Sequence, residues 1–146
     1  MMNQLHGYEK IRMIRENEKK DAQLKFQEAA AEFEKHASHL YDLLKKKEKI
    51  EESYKLSLSD KSQIETIKSY HQYLDFLMPT IINVQKKVDA ARKYMDQVQE
   101  YVTEHYIEVK KIEKIIDKKE QQFKQLEDKK NLMLMDEVSI RKYLEK

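Results

Sequence analysis

The chain has 146 residues, 29 of them basic and 27 acidic, for a formal net charge of +2, and 38% of it is charged. A single glycine and a single proline supply too few turn formers for a β or α/β fold. A charge this near neutral argues against a dedicated nucleic-acid binder, whose phosphate contacts need a basic excess.

The first residues, Asn3 to Lys20, are polar and charged. They hold no apolar signal core, and no stretch of the chain is long and apolar enough to span a bilayer. With zero cysteines, which fit a reducing compartment, the expectation is a cytosolic protein that reaches a membrane only through partners.

Helical periodicity then governs residues about 5–57. Ile11, Ile14, Ala22, Phe26, Ala30, Phe33, Ala37, Leu40, Leu44 and Tyr54 recur mostly at steps of three and four, with a drift between Ile14 and Phe26. The eleven-residue series Ile11, Ala22, Phe33, Leu44 implies a helix locally straighter than a strict heptad coil. A turn follows at about 57–62, in Ser57-Leu58-Ser59-Asp60-Lys61-Ser62. Ser62-Gln63-Ile64-Glu65 reads as a capping box that opens a second helix over about 63–143.

That second helix carries the strongest pattern in the chain. Every seventh residue from Ile67 is apolar: Ile67, Leu74, Ile81, Val88, Met95, Val102, Val109, Ile116, Phe123. Three residues after each stand Tyr70, Leu77, Val84, Ala91, Val98, His105, Ile112, Lys119 and Leu126, mostly apolar or aromatic. This 3-4 spacing is a left-handed coiled-coil seam. Pro79 falls on the outer face, where the missing backbone donor and the clash with the Asp75 carbonyl predict a kink, or else a fresh helix start.

Two long helices joined by a short turn run antiparallel. The predicted fold is therefore all-α, a single helical hairpin over residues 1–146 with a longer second helix. Folding back about Asp60 places Leu40 near Ile81 and Phe26 near Arg92 and Met95. At about 1.5 Å per residue the first helix is ~75 Å long and the second up to ~120 Å. The second therefore outruns the first from about residue 116, leaving a C-terminal overhang. An isolated helix gains little without packing, so this overhang predicts a partner.

Four places invite a functional reading. Near the hairpin tip, Tyr73, Phe76 and Thr80, with Ile82 beside them, lie off the seam and form a candidate docking patch. The alternative is scattered surface apolars. Leu132-Met133-Leu134-Met135 points apolar side chains in all directions. It either folds back on the start of the first helix or enters a partner's cavity, for which methionine is well suited. From Lys110 to Lys130 lysines outnumber acids, as on a solvated face with i,i+4 pairs or one steered toward an acidic surface. His36 and His39 lack the carboxylate–histidine company of a metal site, and His71 and His105 read as seam or flank residues. No nucleophile–base pair and no phosphate-cradling glycine loop is present, so neither enzymatic activity nor a cofactor is expected.

Particular segments resemble a known family. Ile11-Arg12-Met13-Ile14-Arg15-Glu16-Asn17-Glu18-Lys19-Lys20-Asp21-Ala22 is similar to the opening of the flagellar export protein FliJ family. Tyr70-His71-Gln72-Tyr73-Leu74 resembles its stretch after the hairpin turn. Ile107-Glu108-Val109-Lys110-Lys111-Ile112-Glu113-Lys114 and Met135-Asp136-Glu137-Val138-Ser139-Ile140 resemble its later segments. The likeness covers essentially the whole chain; Pro79 departs from the family pattern.

The resemblance implies a non-enzymatic coiled-coil stalk at the cytoplasmic face of the flagellar type III export machine, serving flagellum biogenesis and chemotaxis. It implies paired terminal helices that engage the export ATPase hexamer, here Ile11, Ile14, Ile116, Phe123, Leu126 and Met133. A region near the tip would engage the export gate's membrane protein, here Leu43, Ile50, Tyr70, Tyr73, Phe76, Leu77 and Thr80. Export chaperones are the further partners implied. Two other readings stay open: a structural homodimer in which overhangs pair with each other, and a nucleic-acid-binding helical arm.

Overall fold

The computed structural model describes residues 2–59 and 64–145. Two helices, α1 (Met2–Ser59) and α2 (Ile64–Leu144), pack against each other as an antiparallel hairpin, and no strand occurs among the described residues. α1 starts earlier and ends later than its periodicity announces. Ser57, Leu58 and Ser59, expected in the turn, are helical. The remainder of the expected turn and the first two residues of the expected capping box, Ser62 and Gln63, lie outside the described residues.

Pro79 sits inside an unbroken α2, which rules out a fresh helix start there. The ring removes the N–H that would bond to the Asp75 carbonyl. One residue on, the Thr80 hydroxyl donates to the Phe76 carbonyl at 3.4 Å, a back-bond that accompanies local bending of helices.

Contacts divide the hairpin into two units, one of Met1–Ala22 with Val102–Lys146 and one of Gln23–Tyr101. In the second unit the core is apolar on both sides. Leu43 from α1 meets Leu77, Ile81, Val84 and Val88 from α2, with Phe33, Leu40, Ile50 and Met78 packed against them. Leu40 packs against the same cluster that holds Ile81. The guanidinium of Arg92, however, stacks over Phe33 at 5.5 Å, one heptad along α1 from the Phe26 expected. The cross-helix pairs are symmetric about a point somewhat beyond Asp60, so α1 reaches further along α2 than the sequence reading allowed.

In the first unit α2 buries Val109, Ile112 and Ile116. Ile116 was expected to begin the overhang and is instead 5% exposed, and Phe123 shares a small groove with Gln4 and Leu5. Every residue from Lys124 to Glu145 is exposed. The uncovered segment thus begins near Lys124, about two helical turns later than predicted.

The α1 side of this unit is unusual. Continuing the buried α1 stripe from Ala22 toward the N-terminus gives Lys19, Arg15, Arg12, Tyr8 and Leu5, all half-buried. Ile11 and Ile14, the apolar residues expected in the seam, are exposed. Long basic side chains lay their methylene stems along the seam while their charged heads stay in water. Acids on the same helix hold those heads: Arg12 Nε–Glu9 at 2.9 Å, Arg15–Glu18 at 3.1 Å, Lys19–Glu16 at 3.3 Å.

Candidate functional site

In the unit of Gln23–Tyr101, the end near the connection is capped by aromatic rings. Tyr54 and Tyr70 stack with centroids 4.2 Å apart, and His71 stands edge-on to both. Partial burial there raises the Tyr70 phenol above its ordinary value, with the negative charge of Glu51 adding to the effect. Beside the stack lies an open groove of about 500 Å³ lined by Lys46, Lys49, Ile50, Thr66, Ser69, Tyr70 and Tyr73.

The predicted tip residues separate into two groups. Leu43 and Leu77 are buried in the core and Ile50 packs against it. They hold the helices together, and only Ile50, half-buried, also reaches the open groove. Tyr73, Phe76 and Ile82 are exposed, Phe76 most of all at 75%, and Thr80 is half-buried. A helix 81 residues long has ample polar outer positions. An exposed phenylalanine beside a proline and a tyrosine is a surface without an internal use.

In the unit containing the chain ends, Glu18 approaches His105 Nδ1 at 3.6 Å. The Tyr106 ring is flanked by the ammonium groups of Lys19 and Lys110, at 5.7 and 5.4 Å. Lys110 is held above its ordinary pKa first by Tyr106 and then by Glu113. The lysine-rich face is satisfied locally by pairs such as Lys111–Glu108 and Lys110–Glu113. These are solvated i,i+3 contacts of small worth.

The predicted terminal residues also divide. Ile116 is covered, Phe123 half-covered, and Ile11, Ile14, Leu126 and Met133 are exposed. Leu132, Met133, Leu134 and Met135 are each more than half exposed and do not fold back on α1. Farther along, Val138, Ile140, Tyr143 and Leu144 are exposed as well. The sequence reading gave weight to the methionine-leucine run and missed Ile140 and Leu144, although both continue its own heptad count.

His36 Nε2 lies 3.1 Å from Glu32, an ordinary i,i+4 contact. Among the described residues no group of three or more His, Asp or Glu is arranged to hold a metal ion. No described helix is long and apolar enough to cross a membrane.

Residues 5–146 match the family described as Flagellar FliJ protein. The Flagellar FliJ protein of Bacillus subtilis (strain 168) is 37% identical over 140 residues, covering 94% of this chain and 93% of that protein. No solved structure matches the chain. A helical hairpin, a family match over residues 5–146 and an extensive identity to a relative of similar span lead to one conclusion: the chain belongs to the flagellar FliJ family, a component of the flagellar protein export apparatus.

Proposed function

We propose that this chain is a stalk that binds the hexameric export ATPase through its terminal helices and the membrane protein of the export gate through the tip. The observation that carries the reading is the uncovered α2 segment, which exposes Leu126, Leu132, Met133, Leu134, Met135, Val138 and Ile140 on one helix. So much apolar surface on a helix with no intramolecular partner favours burial in another protein. Ile11 and Ile14, exposed on the paired α1 end, would add to the same contact.

The mechanism is mechanical. One asymmetric helical stalk cannot touch six subunits equally, so it binds some ring states better than others. If the favoured states are the assembled and competent ones, turnover rises by that differential affinity, with no chemistry from the stalk. Tyr73, Phe76 and Thr80, with Tyr70 behind them, would meanwhile hold the gate and keep the protein at the cytoplasmic face of the membrane through its partners. Export chaperones would use the remaining exposed apolar surface.

The test is a chain truncated after Phe123, added to the purified export ATPase. Loss of stimulation with an unchanged fold is the expected result. Stimulation equal to that of the full chain would remove the overhang from the mechanism. Phe76→Ala with Tyr73→Ala should abolish capture of the gate's cytoplasmic domain while leaving ATPase stimulation intact.

A further inference from the structure

The uncovered end of α2 has a charge pattern that complements itself. The α1/α2 seam continues past Phe123 as Leu126, Lys130, Met133, Glu137, Ile140 and Leu144. Two of these positions are charged, and their signs are opposite. In a parallel pair of such helices Lys130 would face Lys130 and Glu137 would face Glu137, two repulsions inside the seam. In an antiparallel pair with Leu134 facing its own copy, Lys130 lies beside the second copy's Glu137, twice by symmetry. On the flank, Glu127 then faces Arg141, and Lys124 comes near Glu145. The like-charge contact of this arrangement, Asp136 with its own copy, stands on the opposite rim in water.

In the same register Leu126 meets the second copy's Leu144 and Met133 meets its Glu137, so each exposed seam position has a partner. The whole stretch from Lys124 onward is then two helices thick, with nothing left unpaired along the seam.

We infer that the C-terminal segments of two copies of this chain pair antiparallel through Leu126, Lys130, Met133, Glu137, Ile140 and Leu144, forming a resting dimer. The pairing goes beyond the stalk function and opposes it, because it covers Leu126 and Met133, two residues assigned above to the ATPase ring. The dimer therefore shields a surface that would otherwise aggregate, and the ring must displace one copy to engage the other.

The experiment needs only the full-length chain. Wild type should sediment as a concentration-dependent dimer. Lys130→Glu and Glu137→Lys, each alone, should weaken self-association roughly tenfold or more by placing like charges in the seam. An equimolar mixture of the two variants should restore association, as should the double swap in one chain. The chain lacks cysteine, so orientation is directly readable: mixed Leu126→Cys and Leu144→Cys chains should cross-link on oxidation, and Leu126→Cys alone should not. A wild type that remains monomeric at high micromolar concentration, or cross-linking of Leu126→Cys with itself, overturns the proposal. Neither result bears on ATPase stimulation, so the two readings fail separately.

Discussion

Tyr54 of α1 and Tyr70 of α2 lie face to face, 12° from parallel, where the two helices approach their connection. The contact spans few residues of chain, so little loop-closure entropy opposes it. It is a local clasp, distinct from the aliphatic core that begins at Ile50 and Leu77. Replacing Tyr54 by Ala should cost about 1–2 kcal/mol, from the lost stack and the half-buried area together. Urea unfolding of wild type and variant gives the difference directly.

The same clasp predicts an alkaline dependence. The folded state raises the Tyr70 pKa above 10.0, so it favours the neutral phenol. Its contribution is complete below the unfolded value near 10 and declines as the pH rises through the folded value, because only the unfolded chain ionises freely in that window. Stability of wild type should fall more between about pH 9 and about pH 11 than that of Tyr70→Phe. Parallel slopes for the two proteins would show that the stack does not hold the phenol neutral.

Leu77 and Phe76 are chain neighbours with opposite surroundings, 4% and 75% exposed. Leu77→Ala should destabilise by about 2–5 kcal/mol, since it opens a cavity against Leu43, Ile81 and Val84. Phe76→Ala should change stability by less than about 0.5 kcal/mol. Thermal melts of the two variants separate a core role from a surface role at adjacent positions.

Pro79 occupies an exposed position inside α2. Pro79→Ala should stabilise the chain by about 1–3 kcal/mol, restoring a backbone donor and removing the ring clash. A loss of stability would mean that the surrounding packing depends on the proline ring.

Unequal seams predict unequal local stability. Where Arg12, Arg15 and Lys19 cover Val109, Ile112 and Ile116, stems replace branched apolar side chains, and the heads stay tied to half-buried acids of the same helix. Amides of residues 8–20 should exchange with solvent faster than those of 33–47, where Leu43 and its neighbours close an apolar core. Truncation after Phe123 should leave both sets unchanged, since no residue from Lys124 to Glu145 is covered.

The seam of α2 was legible in the sequence because burial on a helix leaves a fixed period. Leu77, Ile81, Val84, Val88, Val98, Val109, Ile112 and Ile116 are buried where the heptad count puts them. The all-α hairpin followed from that stripe and from the scarcity of turn formers. What faces the stripe was decided only by tertiary packing. Periodicity lists the residues one helix can bury, whereas the register and roll of its mate fix which of them are buried. α1 extends further than its pattern announced, which covers Ile116 and moves the start of the free segment to Lys124. It also rolls so that arginine and lysine stems, not Ile11 and Ile14, lie along the seam. A methylene stem buries nearly as well as an aliphatic side chain provided its charge can reach water, and a one-dimensional apolar pattern does not record that option.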